Sequence, residues 1–208
     1  MGVAHRVAVD TVDTRDALLS AARQIFARKG YHGTNVSDIV AAVGMAQGSF
    51  YNYFRSKKAI FQELLAAFTN RIVDAVESVD LKSIHDDTSY HLVGMALGTQ
   101  LSRIFLDDHE LAKIFFREAV GIEPEFDQTI DTAYRRVTDA TQAYVERGQK
   151  VGVVRKDISS SVTANAMVGM CSHLIQTTLR NGLAGVEPNE VLRTLVSIHL
   201  NGILKPKS

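Results

Sequence analysis

Apolar residues recur at intervals of three and four along most of the chain, which is the spacing that places them on one face of a helix. Residues 1–13 lack this period, and we expect them to form a flexible N-terminal arm. No convincing period of two occurs, so the pattern favours an all-α fold. We predict helices over residues 14–29, 36–43, 47–54, 56–76, 91–106, 110–120, 125–150, 160–181 and 188–204.

The second and third predicted helices are short, and Gly44 lies between them. Two short helices joined by a glycine-containing turn have the spacing of a helix-turn-helix motif. With Gly44 in the turn, Val36, Ile39 and Val40 fall on the buried face of the first helix. Phe50, together with Tyr53 or Phe54, can close the small core from the second helix. In such motifs the second helix enters the major groove of DNA.

The chemistry of residues 47–58 suits that role. Gln47 carries an amide that can pair with adenine, and Ser49 carries a hydroxyl that can donate or accept. Gly48 lets the backbone approach closely. Further polar groups suited to base edges or phosphates follow at Tyr51, Asn52, Tyr53, Lys57 and Lys58. We therefore expect double-stranded DNA to be the partner of this segment.

The same stretch resembles the N-terminal domain of the TetR family of transcriptional regulators over residues 15–61. The matching residues are Phe26, Gly30, Thr34, Ile39, Gly44, Gly48, Phe50, Tyr51, Phe54 and Lys57. The resemblance implies a three-helix DNA-binding domain over residues 14–55 and a C-terminal helical domain over residues 56–208. It also implies a homodimer that binds a palindromic operator as a repressor and is released by a small effector.

The resemblance assigns roles to individual residues. Contacts to bases or the nearby backbone are implied for Ser37, Gln47, Ser49 and Asn52, and phosphate contacts for Thr34, Tyr51, Tyr53 and Lys57. Three positions depart from the family pattern. Val40 and Val43 replace the usual alanine, and Ala46 replaces a serine or threonine that would cap the recognition helix.

Charge is distributed unevenly, although the formal net charge of the chain is zero. Residues 1–58 carry eight Lys or Arg against four Asp, a net charge of +4, and the remaining 150 residues carry −4. A basic N-terminal part fits contact with a polyanion. The single cysteine, Cys171, lies in an apolar run, and we expect it to be a buried structural thiol in a reducing compartment.

The sequence lacks the motifs of several other classes of protein. It has neither a glycine-rich phosphate loop nor a Cys/His cluster with metal spacing, so we expect no enzymatic activity, no cofactor and no metal site. No apolar run approaches the length of a membrane span, and residues 1–10 do not resemble a signal peptide. We expect the protein to be cytoplasmic.

The C-terminal part is compatible with an effector pocket and a dimer interface, which the resemblance places there. Candidate pocket residues are mostly apolar with a few polar groups: Met95, Phe105, Phe115, Phe116, Tyr134, Met167, Met170 and His173. Residues 115–121 resemble family members that sense acyl chains or acyl-CoA. Candidate interface residues form apolar stripes on the last two predicted helices: Ala164, Val168, Cys171, Ile175, Leu179, Val191, Leu192, Leu195, Val196, Ile198 and Ile203.

Two other functions are compatible with parts of the sequence. An all-α scaffold could bind a partner protein without DNA, but it has no need of exposed polar residues such as Gln47 and Tyr51 beside Lys57. A metal-responsive regulator could use residues 85–87 or 107–109, although both groups are typical of solvated loops.

Overall fold

The computed structural model describes residues 2–181 and, beyond them, residues 190, 194, 195, 197, 198 and 202. This part of the chain is helical and contains no β-strand, which confirms the all-α prediction. Its helices are α1 (Gly2–Lys29), α2 (Val36–Ala42), α3 (Gln47–Phe50), α4 (Lys57–Glu77), α5 (Asp87–Asp107), α6 (His109–Lys113), α7 (Pro124–Val151) and α8 (Ser160–Asn181). None of these helices is long and apolar enough to cross a membrane.

The helices differ from the prediction in four places. Helix α5 begins at Asp87, four residues earlier than predicted. Helix α1 begins at Gly2 and includes most of the expected arm, whose flexibility stays a prediction. The recognition helix ends at Phe50, and residues 51–53 form a turn. The helix expected over residues 110–120 is α6 followed by one π-helical turn, Ile114–Glu118. The helix predicted over residues 188–204 lies largely outside the described residues.

Local hydrogen bonds explain where α1 ends and where α2 begins. Gly30 has φ +73°, a conformation that glycine adopts at low cost, and its N–H donates to the carbonyl of Phe26 at 2.9 Å to end α1. Asn35 precedes α2, and its backbone N–H donates to the carboxylate of Asp38 at 2.9 Å. That carboxylate also lies 2.9 Å from the ammonium of Lys29, and this hydrogen bond is the main cause of the lowered pKa of Asp38.

The described residues form two compact units, each made of two stretches of the chain. Unit 1 takes the residues up to Phe68 together with Glu110–Thr129. Unit 2 takes Thr69–His109 and the residues from Ile130 onward. Helices α4 and α7 therefore each contribute residues to both units.

Large apolar side chains fill both cores. In unit 1, the fully buried residues include Leu18, Phe26, Ile39, Phe50, Ile60, Phe61, Leu65, Phe68, Ile114 and Phe126. In unit 2, a cluster of Ile84, Tyr90, Tyr144, Val145 and Val154 joins the start of α5 to the last turns of α7. The rings of Tyr90 and Tyr144 are stacked with centres 4.3 Å apart.

Candidate nucleic-acid interface

The turn between α2 and α3 has the geometry that the sequence predicts. Gly44 adopts φ +70°, and the N–H of Met45 donates back to the carbonyl of Val40 at 2.9 Å. Ile39, Val40 and Phe50 are buried, so α2 and α3 pack on the core of unit 1. Of the two aromatic residues expected to complete this core, Phe54 is buried and Tyr53 is only half-buried.

Polar side chains occupy the outer side of the motif. Ser37, Gln47 and Asn52 are exposed, as is Gly48, and Tyr51 is 55% exposed. Ser49 and Tyr53 are half-buried. The phenol of Tyr51 can donate to a phosphate or a base. The arrangement leaves these groups accessible to a duplex.

The start of α3 lacks a side-chain cap. Ala46 precedes the helix and makes no side-chain hydrogen bond, as expected from the loss of the usual hydroxyl. The N–H of Ser49 donates to the carbonyl of Ala46 at 3.0 Å, and the N–H of Phe54 donates to the carbonyl of Phe50 at 3.0 Å. Backbone hydrogen bonds and the burial of Phe50 and Phe54 therefore hold the segment in place.

The phosphate contact implied for Thr34 stays a prediction, and in this structure the residue is engaged inside unit 1. Thr34 is completely buried, and its hydroxyl donates to the carbonyl of Gly30 at 2.7 Å. The Thr34 side chain is directed at the end of α1 and fixes the loop that leads into α2.

Lys57 is more deeply engaged than the sequence indicates. Its ammonium donates to the backbone carbonyls of Tyr31, at 2.7 Å, and Thr34, at 2.8 Å. It also lies 4.4 Å from the centre of the Tyr31 ring, and partial burial lowers its pKa. Lys57 thus joins the first turn of α4 to the loop before α2. An ammonium has three N–H groups, so one remains to donate to a phosphate.

Lys58, which the sequence offered as a second phosphate ligand, faces acidic residues instead. Its ammonium lies 2.9 Å from the carboxylate of Glu125 and 3.1 Å from that of Glu123. Hydrogen bonds to these two carboxylates, Glu125 first, raise the pKa of Lys58. The ion pairs connect the start of α4 to the start of α7 within unit 1.

An aromatic cluster accompanies these ion pairs, and the sequence analysis missed it. The Phe126 ring lies 4.7 Å from that of Phe61 and 5.4 Å from that of Tyr31. Phe61 in turn packs edge-on against Phe26 at 4.9 Å. The first turn of α7 is therefore part of the hydrophobic core that supports the helix-turn-helix. Only the burial of Phe126 in an amphipathic helix could have been inferred from the sequence.

The proposed pocket residues are divided between the two units. Phe115 and Phe116 belong to unit 1, where the Phe115 ring lies 5.6 Å from that of Phe68. The other six belong to unit 2. Met95 lines an open groove of about 1080 Å³ between α4 and α5, together with Arg71, Leu92, Arg103 and Ile104. Met167 packs against the Tyr90–Tyr144 cluster, and His173 is exposed.

The prediction of a buried cysteine in α8 is wrong. Cys171 is an exposed free thiol and not the buried one that its apolar surroundings indicated. Ala164 is buried as part of the core, whereas Val162 is 69% exposed. Val168, Cys171 and Ile175 form one apolar stripe of α8, here called its outer side, which is exposed at Cys171 and half-buried at the other two residues. Among the described residues, no group of three His, Cys, Asp or Glu side chains lies close enough together to hold a metal ion.

Comparisons with known sequences agree on one group of proteins. Residues 18–64 match the profile of bacterial regulatory proteins of the tetR family, and residues 95–176 match that of a tetracyclin repressor-like C-terminal domain. An uncharacterized HTH-type transcriptional regulator of Bacillus subtilis, YdgC, is 31% identical over 93% of this chain and 94% of its own. The fatty acid metabolism regulator protein of Bacillus subtilis is 23% identical over 86% of this chain and 92% of its own.

Solved structures share the fold. The fatty acid degradation regulator FadR from Bacillus halodurans superposes with a TM-score of 0.76 at 20% identity, covering 90% of this chain and 95% of its own. FadR from Bacillus subtilis, solved in complex with stearoyl-CoA, has a TM-score of 0.74 at 19% identity, covering 90% of this chain and 98% of its own. These likenesses extend over both units.

Proposed function

The chain belongs to the TetR family of bacterial regulatory proteins, and on that premise we propose that it represses transcription as a homodimer whose operator is released by a small, largely apolar effector. The family assignment confirms the resemblance seen over residues 15–61, and it makes the protein a ligand-responsive, DNA-binding transcriptional regulator. We further propose that it works in the cytoplasm and is not an enzyme.

The exposed polar surface of the helix-turn-helix carries the proposal for DNA binding. Gln47, at the start of α3, has the amide that would read a base, and Gly48 beside it lets the backbone approach. Ser37 and Asn52 are positioned on the exposed side for contacts near the bases, and Tyr51 for a phosphate. Lys57 would use its remaining N–H for a phosphate while its other two hold the motif together.

The outer side of α8 supports a homodimer. An exposed thiol at Cys171, with Val168 and Ile175 only half-buried on the same stripe, leaves apolar surface uncovered on a long helix. Isologous association about a two-fold axis would cover the same surface in both copies. Recognition helices related in this way bind half-sites about 34–36 Å apart along a duplex.

Fatty acyl-CoA is the effector class that we propose. The fatty acid metabolism regulator is a relative over most of the chain, and the Bacillus subtilis FadR structure contains stearoyl-CoA. Partly buried apolar side chains in unit 2, among them Met167, Met170 and Phe105, offer the lining that an acyl chain needs. Binding that favours a different separation of the recognition helices would lower DNA affinity.

Selection of duplexes from a random pool tests the proposal. We expect the wild type to enrich a palindrome, Gln47→Ala to relax preference at one base position, and stearoyl-CoA to release the selected duplex. Gln62→Ala is the matched control, because Gln62 is exposed on α4 and has the same side chain. Enrichment of no palindrome would contradict the dimer, and retention of the duplex with every acyl-CoA tried would contradict the effector class.

A further inference from the structure

The basic residues of the helix-turn-helix region differ in whether other parts of the chain already engage them. Residues 14–58 carry the following seven: Arg15, Arg23, Arg28, Lys29, Arg55, Lys57 and Lys58. A lysine or arginine strengthens DNA binding when it neutralises a phosphate and releases counterions from the duplex. A side chain that a carboxylate or a carbonyl already holds is less available for this, because it would first have to leave its partner. The partners of the seven residues therefore show which of them DNA can use.

Three of the seven form ion pairs within unit 1. The guanidinium of Arg15 in α1 lies 2.5 Å from the carboxylate of Glu63 in α4. The guanidinium of Arg23, also in α1, lies 3.3 Å from the carboxylate of Glu110 in α6. Lys58 lies between two carboxylates at the start of α7, as described above. These charges are balanced inside the protein before any DNA is present.

Three more have partners in or next to the segment between α1 and α2. The ammonium of Lys29 lies 2.9 Å from the carboxylate of Asp38. Hydrogen bonds from Lys29 and Asn35 lower the pKa of that carboxylate, and the charge of Arg28 adds to the effect. Lys57 donates to two backbone carbonyls of this segment and keeps one N–H. The charge of each of these three residues is therefore at least partly offset within the fold.

Arg55 has no such partner. Its side chain is exposed, and within the part of the chain that the structure describes its guanidinium takes part in no hydrogen bond, ion pair or ring contact. The backbone is fixed on both sides of it. Phe54 is buried immediately before it, and the hydroxyl of Ser56 immediately after it accepts from the N–H of Ala59 at 3.1 Å to begin α4. A fixed backbone thus carries a free guanidinium at the surface of the motif.

The position of Arg55 favours the backbone of DNA over the bases. A recognition helix directs its N-terminal residues at base edges, and Gln47 occupies that end of α3. Arg55 follows both α3 and the turn of residues 51–53, at the opposite end of the recognition segment. Phosphates border the major groove, so a side chain at this end meets them before it meets a base. A guanidinium can bind one phosphate through two parallel hydrogen bonds.

We propose that Arg55 is a phosphate clamp of the helix-turn-helix, the one basic side chain among the described residues 14–58 that is free to bind the DNA backbone with its full charge. The inference rests on DNA binding, which membership of the family establishes. A count of charges then overstates the attraction to DNA, because the other six cations of this region are engaged within the protein. Within residues 14–58, Arg55 and the remaining N–H of Lys57 supply most of that attraction.

Fluorescence anisotropy over roughly 50–200 mM salt tests the clamp, with the duplex that the wild type enriches from a random pool and with a random duplex. We expect Arg55→Gln to flatten the slope of log K against log salt by about one unit for each protomer bound, on both duplexes. In a dimer, the affinity that the variant loses should then be about tenfold greater at the low end of this salt range than at the high end. Arg55→Lys should keep the wild-type slope and lose only part of the affinity, because an ammonium keeps the charge without the paired hydrogen bonds.

Arg28→Gln is the matched control, because it removes the same charge from an exposed arginine whose charge acts on the carboxylate of Asp38. It should leave the salt slope close to that of the wild type. Arg55→Gln should melt at the wild-type temperature, since the substitution removes no contact within the described part of the fold.

Three results would overturn the clamp and leave DNA binding by the motif standing. Equal flattening by Arg55→Gln and Arg28→Gln would show that only the total charge matters. A loss of affinity confined to the enriched duplex would show that Arg55 reads a base. A lowered melting temperature of Arg55→Gln would show that its guanidinium serves the fold. If the wild type bound neither duplex, DNA binding itself would be refuted, and the clamp with it.

Discussion

Replacement of Lys57 by methionine should both lower the free energy of unfolding and weaken binding to every DNA sequence. The ammonium donates to the backbone carbonyls of Tyr31 and Thr34, at 2.7 and 2.8 Å, and lies over the Tyr31 ring. Methionine keeps an apolar stem of similar length. The substitution therefore removes the charge and its hydrogen bonds while disturbing the packing little.

The contacts of Lys57 set the size of the expected effect. A hydrogen bond from a charged donor contributes about 1.5–3 kcal/mol, and an exposed cation–π contact about 0.5–1 kcal/mol. Water can replace part of both, because the ammonium is only half-buried. We therefore expect a net loss of about 2–3 kcal/mol. In a chain of this size, that loss lowers the melting temperature by roughly 5–10 °C.

Two assays separate the folding role of Lys57 from its DNA role. Urea denaturation followed by circular dichroism gives the free energy of unfolding. Fluorescence anisotropy at salt concentrations between roughly 50 and 200 mM gives the dependence of DNA affinity on salt. The slope of log K against log salt should flatten by about one unit on specific and random duplexes alike. Lys156→Met is the control, because Lys156 is an exposed lysine beyond α7.

Different results would refute different parts of this reasoning. A melting temperature equal to that of Lys156→Met would contradict the part of Lys57 in joining α4 to the loop before α2. A lowered melting temperature with an unchanged salt slope would show that Lys57 holds the motif but contacts no phosphate. A loss confined to one operator sequence would contradict a role in binding the backbone of DNA.

Three further predictions concern the turn, the start of α2 and the outer side of α8. Gly44→Ala should cost about 1–2 kcal/mol in urea denaturation, because φ +70° disfavours a side chain although no atom crowds it. Gly48 lies within α3 and an added Cβ there also meets nothing, so Gly48→Ala should leave stability unchanged or raise it while weakening DNA binding. Equal destabilisation by both substitutions would contradict this contrast. Hydrogen bonds from Lys29 and Asn35 lower the pKa of Asp38 in the folded state. The stabilisation of the fold by these hydrogen bonds should be complete above the pKa that Asp38 has in the unfolded chain. It should disappear as the pH falls through the pKa that Asp38 has in the folded protein. Asp38→Asn should therefore flatten the acid limb of a plot of melting temperature against pH, and an unaltered limb would contradict the assignment. Cys171→Asp should convert the proposed dimer to a monomer in light scattering, whereas an unaffected mass would remove the outer side of α8 from the interface.

Local patterns predicted the local structure well. Helix α8 begins at Ser160 and ends at Asn181, as the spacing of its apolar residues indicates. Burial of Phe50 and Phe54 followed from their positions four residues apart. The early end of α3 was missed, because the apolar period continues through residues 51–54 while the backbone tightens into a turn.

Features that depend on distant parts of the chain could not be predicted in this way. The carbonyl partners of Lys57 lie 26 and 23 residues earlier in the sequence, and the carboxylate of Glu123 lies 65 residues after Lys58. No periodicity relates residues so far apart. The exposure of Cys171 was misjudged for a related reason, since the sequence shows that a helix is apolar on two sides but not which side the monomer covers.

The participation of Phe126 in the core of unit 1 has a consequence for synthesis of the protein. Phe126 leaves the ribosome about 65 residues after Phe61, which at roughly 5–20 residues per second is a delay of about 3–13 s. During that delay the core of the nascent helix-turn-helix lacks the ring of Phe126, so the rings of Tyr31 and Phe61 that it covers are available to chaperones. A fragment that ends at Phe68 would remain in this condition permanently and would aggregate more readily than the whole chain.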